Sequence, residues 1–208
     1  MSATFQLIAA HPVLDFVNTL DNRFIDAGPT ELLCGYADLL RFAQQAGLMD
    51  AKRAGALARR RNSAAAVRAL ATALELREAL AAFLYGSWTS ARPPSGEIIK
   101  ALERQFLEAE GHKELVWNSR LSDQDGTSRV DWEWGRFETK PEFPIWVLAQ
   151  SAARLLTSTA MNRVHMCHSE TCRWLFLDTS KNHTRRWCDM KVCGNRMKAR
   201  SFHARRVG

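Results

Sequence analysis

Four cysteines in the last quarter of the chain are the residues best placed to do chemistry. They form two pairs, Cys167-x4-Cys172 and Cys188-x4-Cys193, with fifteen residues between the pairs. Each pair closes a small local loop that delivers two thiolates, and the insert lets the loops meet, as a tetrahedral Zn²⁺ site requires. The spacing therefore predicts one structural Zn²⁺ held by Cys167, Cys172, Cys188 and Cys193. Four sulfur ligands leave no open position for a catalytic water. His165, His168 and His183 lie in the same stretch, and a symmetric four-sulfur site leaves them as surface or outer-sphere groups. A segment of about 45 residues cannot build a stable core alone, so the metal is expected to supply much of its folding free energy. Replacing Cys188 is then expected to unfold this segment and spare the rest.

The charge of the chain is concentrated around these cysteines. Residues 161–208 hold eleven Lys and Arg against three acids, a formal +8; the other 160 residues hold 18 basic and 19 acidic groups, a formal −1. Such asymmetry points to a nucleic-acid or anionic partner. Arg185, Arg186, Arg196, Lys198 and Arg200 are expected to make one positive surface around the metal. Arg205 and Arg206 would extend it along a phosphate backbone. Trp174, Phe176 and Trp187 are expected to supply the small apolar cluster beside the metal. Gly194, directly after a ligand, is expected to adopt φ > 0 so that backbone N–H groups can face the sulfurs. Asn195 is expected to cap the helix that follows.

The elements that must position this site read as mainly α, with one β-hairpin in a large domain over residues 1–162 and a small four-Cys knuckle over 163–208. Phe5–Ala10 suggests a short edge strand and Val13–Leu20 a short helix. Thr30 is the expected N-cap of a helix that Gly47 stops, and Asp50, Ser63 and Ser95 are the N-caps of three more. Leu115 and Trp117, then Val130, Trp132 and Trp134, alternate with polar residues on either side of Asp125-Gly126, the signature of an antiparallel hairpin. A last apolar helix begins near Pro144. Cys34, far from the other cysteines in an amphipathic segment, is expected to be a buried small hydrophobe. The chain opens without a signal-peptide pattern and lacks the roughly 18 consecutive apolar residues of a membrane span, so a reducing cytoplasm is the expected compartment.

The large domain offers one further cluster. Asp15 and Asn18 sit three residues apart on the first helix, with Arg23 nearby as a counter-charge. They either bind a small polar ligand, an effector, or satisfy local backbone groups. An enzyme is the least supported reading, because the chain has no Gly-rich phosphate loop, no Gly-x-Ser-x-Gly elbow and no His-Glu-x-x-His.

Beyond the cysteines, Asp178-x-Ser180 and then Arg185-Arg186-Trp187-Cys188-x-Met190-x2-Cys193-Gly194-Asn195-Arg196-x-Lys198 resemble the CGNR-type zinc-finger signature. Leu14-Asp15-Phe16-Val17-Asn18-Thr19 resembles the start of the ABATE domain that accompanies that finger, in the expected order. The resemblance spans nearly the whole chain and implies a bacterial transcriptional regulator whose finger contacts DNA. A zinc-stabilised RNA-binding or protein-interaction adaptor is the alternative. One small finger offers about 600–1,000 Å² of nucleic-acid contact, so a homodimer presenting two fingers is also expected.

Overall fold

The structure, a computed structural model, describes residues 4–89, 93–117, 130–135 and 140–200. Its shortest α-helix, α1 (Pro12–Val17), lies at the centre. Pro12 occupies the first turn, where a missing N–H costs nothing, and the His11 ring accepts from the Val13 N–H at 3.3 Å. Val13, Leu14, Phe16 and Val17 are completely buried. Six residues would not hold a helix in water, so tertiary packing holds this one.

Around it stand α2 (Tyr36–Gln45), α3 (Ala51–Ala58), α4 (Ala64–Thr89), α5 (Gly96–Glu110) and α6 (Phe143–Leu156). The side chains of Asp50, Ser63 and Ser95 each accept a backbone N–H in the first turn, as N-caps do. α2 closes where Gly47 takes φ +71° and Leu48 N–H returns to the Ala43 carbonyl at 2.9 Å, a closure that favours glycine. α4 buries Ala66, Ala69, Ala73, Leu76, Leu80 and Leu84 along one stripe. α6 is apolar almost all round, from Phe143 to Leu155, and such a helix belongs inside. With 53% of the chain helical, the protein is mainly α. No helix among the described residues is long and apolar enough to cross a membrane.

Among the described residues, three small antiparallel pairs join the helices: β1 (Leu20–Asp21) with β2 (Thr30–Glu31), β3 (Lys113–Trp117) with β4 (Val130–Trp134), and β5 (Val164–Met166) with β6 (Leu175–Leu177). The second is the hairpin read from alternation, in the register Leu115↔Trp132 and Trp117↔Val130. Its Asp125-Gly126 signal lies outside the described residues. Three local expectations are corrected. Phe5–Ala10 forms no strand; it meets β6 through one bond, Leu177 N–H to the Ala9 carbonyl at 2.8 Å. Thr30 pairs in β2 instead of capping α2, which starts at Gly35 with the Asp38 carboxylate accepting from Gly35 N–H. Cys34 is exposed, its thiol donating to the Glu31 carbonyl, because Leu33 takes the inward position in that turn.

The seam between the helical body and the cysteine segment is a shared core. β6 lies against α1, and Leu175 and Phe176 are completely buried among the same apolar residues as α1. Asn18 behaves as a one-residue strand partner: its Nδ2 donates to the Leu175 carbonyl at 2.9 Å and its Oδ1 accepts from the Leu175 N–H at 3.0 Å. Trp174 Nε1 donates to Asp21 Oδ1 at 2.7 Å, and the Tyr85 hydroxyl donates to the Arg173 carbonyl at 3.2 Å. Asn18→Ala would leave both polar groups of Leu175 unpaired in a buried seam, at about 1–3 kcal/mol each. We expect urea unfolding to show a total loss of about 2–4 kcal/mol. A loss below about 0.5 kcal/mol would mean that Asn18 does not hold the seam.

Candidate metal centre and basic surface

The metal centre is assembled from two turns. Cys167 follows β5 directly, and its N–H donates to the Trp174 carbonyl at 2.8 Å, continuing the β5–β6 ladder by one step. The chain turns at Ser169, whose carbonyl accepts from the N–H groups of Cys172 and Arg173. Arg173 closes the turn at φ +58°. The second pair arrives alongside when His168 N–H donates to the Arg186 carbonyl at 3.0 Å. Cys188 then leads into a wide π-type turn, Met190–Gly194, that carries Cys193 and continues as a helix over residues 195–200. Asp189 caps this turn, accepting from the Lys191 and Val192 N–H groups at 2.6 and 3.2 Å.

All four Sγ atoms lie within 4.8 Å of one another, and Cys172–Cys188 and Cys188–Cys193 are 3.5 and 3.8 Å apart. Zn–S bonds of about 2.3 Å in a tetrahedron separate sulfurs by roughly 3.8 Å. No pair is a disulfide. Without a cation the four thiols cannot all ionise together. Hydrogen bonds from Cys172 and then Cys188 pull the Cys167 thiol far down. The bond to Cys167 pushes Cys172 and Cys188 up, and burial pushes Cys193 up. Four thiolates this close repel one another, and a divalent cation would let all four ionise together. Three of the four cysteines are buried, and the donor set fits a soft, tetrahedral ion.

Two expectations about the turn are corrected. Gly194 does not take a positive φ; the left-handed residues of this region are Arg173 and His183. A Cβ at Gly194 would instead fall 2.5 Å from Met190 Sδ, so its small size matters more than its freedom. Asn195 is helical and does not cap, its Nδ2 donating to the Lys191 carbonyl at 3.0 Å. Asp189 takes the capping role, which its place directly before the turn could have suggested.

The basic residues divide. Arg185 faces inward, with Nε donating to the Trp187 carbonyl at 2.8 Å, an Nη donating to the Cys188 carbonyl, and its guanidinium 4.7 Å from the centre of the Phe176 ring. Buried Asp178 braces the same loop by accepting from the Ser180 and Arg185 N–H groups, each at 2.8 Å. Burial alone would raise this carboxyl, but Ser180, the Arg185 N–H and nearby His165 hold it at about 2. Arg186, Arg196, Lys198 and Arg200 are exposed. Arg186 lies over Trp187 and donates to His168 Nδ1, and Arg196 donates to Thr171 Oγ1 at 3.3 Å. Arg205 and Arg206 lie outside the described residues. Phe176 is completely buried, and Trp174 and Trp187 pack against the core at its edge.

Asp15, Asn18 and Arg23 do not converge on one another's polar atoms. Asp15 accepts from the Ala9 N–H at 2.9 Å, Asn18 holds Leu175, and Arg23 donates to Glu78 at 2.5 and 3.3 Å. Glu78 also pairs with buried Arg77, which forks onto Glu31 at 2.7 and 2.6 Å. A cleft of about 260 Å³ lies elsewhere, between the amino-terminal segment and the finger, lined by Gln6, Asp21, Trp174, Asp189 and Arg196 among others.

A helical body carrying a four-cysteine, metal-fitting finger on a shared core is the class that fold and site define. Residues 163–206 match the CGNR zinc finger, and residues 10–159 match ABATE, whose description is "Putative stress-induced transcription regulator". The chain belongs to the ABATE family. No curated protein matches it.

Two measurements follow from this geometry. Metal analysis of the reduced protein should give about one Zn per chain. Because the finger and α1 share a core, Cys188→Ser or a chelator should lower the thermal stability of the helical signal as well as unfold the finger, in contrast to what spacing alone suggests. Helical melting unchanged by metal removal would show two independent units.

A third concerns Asp15. Burial raises its carboxyl to about 6, against the lowering effect of the Ala9 and Ile8 N–H groups. A folded-state value above the unfolded value of 3.8 means that its contribution is fully present below pH 3.8 and lost as pH rises through 6. The ionised form therefore costs stability at neutral pH, on the order of 3 kcal/mol at most. Asp15→Asn keeps an acceptor for Ala9 and removes the charge. Its stability relative to wild type should rise between pH 5 and 7.5 in chemical unfolding, and a flat difference would contradict this.

Proposed function

We propose that this protein is a zinc-dependent, DNA-binding transcriptional regulator, in which the finger over residues 163–208 grips DNA and the body over residues 1–162 senses a small-molecule effector or dimerises. One observation carries the reading: a formal +8 confined to the last 48 residues of a chain whose remainder is near neutral. Exposure of Arg186, Arg196, Lys198 and Arg200 beside the metal centre supports it, as does membership of a family described as a transcription regulator. Arg205 and Arg206 extend the proposed contact along the phosphates. Arg185 takes a different part, ordering the loop between Asp178 and Cys188 so that Arg186 is presented. The cleft beside Arg196 adjoins the metal centre, walled by Cys172, Cys188 and Cys193, and the side chains of Asp15 and Asn18 are tied to backbone. One structural Zn²⁺ held by Cys167, Cys172, Cys188 and Cys193 fixes the frame and takes no part in turnover.

Each phosphate contact contributes about −0.9 to the slope of log affinity against log salt on duplex DNA. With about four to six contacts, raising salt from about 50 to 200 mM should weaken binding roughly a hundredfold to a thousandfold. Replacing Arg205 and Arg206 by Gln should lower affinity evenly across sequences, whereas Arg196→Gln should relax preference if that side chain reaches a guanine edge. Selection from a random duplex pool beside a competing RNA pool is the deciding measurement. Enrichment of a duplex motif supports the regulator, RNA enrichment supports an adaptor, and no binding to either at about 100 mM salt would overturn the nucleic-acid reading.

A further inference from the structure

The β3–β4 hairpin separates its side chains by chemistry. On one face Leu115 stands opposite Trp132 and Trp117 opposite Val130. All four are exposed, Leu115 at 60%, Trp117 at 65%, Trp132 at 60% and Val130 at 38%. The other face carries Glu114 directly opposite Glu133, with Asp131 beside them. The base of the hairpin is firmly seated. Trp134 packs edge-on against Phe143 at 5.6 Å, and His112, just before β3, stacks on Trp146 at 3.6 Å. A strand pair seated at its base therefore leaves more than half of each of Trp117 and Trp132 exposed. Single exposed apolar residues are ordinary, but a contiguous patch rich in tryptophan marks an interface.

We propose that this face is the contact between two copies of the chain, related by a two-fold axis that packs hairpin on hairpin. Charge argues against a phosphate-bearing occupant, since the acids on the reverse face would repel it and the one cation on the described part of the apolar face, Lys113, is already paired with Glu110 and lies over the Trp134 ring. The same acids suit a self-contact, because alternation along the strands turns all three away from the interface. With Lys113 at its base neutralised by Glu110, the exposed part of this face is apolar and complementary to itself, as an isologous contact requires. Area is sufficient. The four side chains expose roughly 500 Å² per copy, so two facing hairpins bury about 1,000 Å² before rim residues are added, the lower bound for a specific interface. The dimer is accordingly a weak one in free solution, with Trp117 and Trp132 at its centre. This surface lies apart from the basic residues of the finger and needs no nucleic acid to form.

Sedimentation equilibrium of the full, zinc-loaded chain without nucleic acid tests this directly, over about 1–200 µM. Wild type should pass from monomer to dimer and stop there. Trp132→Glu should raise the dissociation constant at least tenfold with unchanged circular dichroism and metal content. Leu115→Thr, which preserves strand propensity, should act in the same direction and serves if the glutamate variant misfolds. Glu133→Gln, on the reverse face, should leave association unchanged. Wild type monomeric at about 200 µM, an open series of higher oligomers, or undiminished dimerisation by both apolar-face variants would overturn the proposal.

Discussion

Four sulfurs held within 4.8 Å of one another impose the constraint on which the carboxy-terminal structure depends. Thiolates at that distance repel strongly once burial has removed water. Hydrogen bonds from Cys172 and Cys188 favour the charged form of Cys167 over that of its neighbours. A divalent ion turns the repulsion into four bonds, and its binding free energy becomes folding free energy. The two turns need this support. Arg173 and His183 adopt left-handed backbone without being glycine, each a local cost of order 1 kcal/mol. β5 and β6 are only three residues long, too short to stand as an isolated hairpin.

The consequence does not stop at the finger. Leu175 and Phe176 complete the core around α1, and Asn18 supplies β6 with the hydrogen bonds that a third strand would otherwise give. α1 in turn packs on α4 and α6. A short helix that cannot hold itself, a hairpin too short to persist and a metal cluster are each insufficient alone. Their shared core lets each supply what the others lack. The exposed edge of this seam is sealed by Trp174 on Asp21 and by Tyr85 on the Arg173 carbonyl.

What could be read from sequence was the part governed by local rules. Cysteine spacing is set by the size of a chelating turn, and N-caps at Asp50, Ser63 and Ser95 act within one helical turn. The misreadings share a cause: a packing or pairing partner that spacing does not show decides the conformation, whether it lies next door or far along the chain. Thr30 resembles a cap, but pairing with Asp21 claims it for a strand. Cys34 sits in an amphipathic stretch, yet Leu33 faces the core and turns the thiol outward. Gly194 takes an ordinary negative φ and lies under the exposed Met190 side chain, a contact that spacing does not reveal. Asn18 illustrates the limit best. Its sequence context leaves open a ligand or a backbone group, and the backbone group it holds belongs to a residue 157 positions away.

Charge follows the same logic of prior commitment. Zn²⁺ with four thiolates carries a formal charge of about −2, so the +8 of residues 161–208 falls to about +6 when the metal is bound. Arg185 is already spent on the Trp187 and Cys188 carbonyls and on the face of Phe176. Basic residues around a thiolate centre first neutralise and order it, and only the remainder can face a partner. Arg186 and Arg196 occupy the boundary between these roles. Arg186 reaches His168 in the first turn, and Arg196 reaches Thr171 there, although both belong to the second half of the finger. The first turn carries Cys167 and Cys172, and the second half carries Cys188 and Cys193. The metal therefore sets the spacing between the turns, and with it the spacing of the two arginines. A metal that joins the two turns would also fix how Arg186 and Arg196 bridge them, so its loss would release those contacts along with the loop.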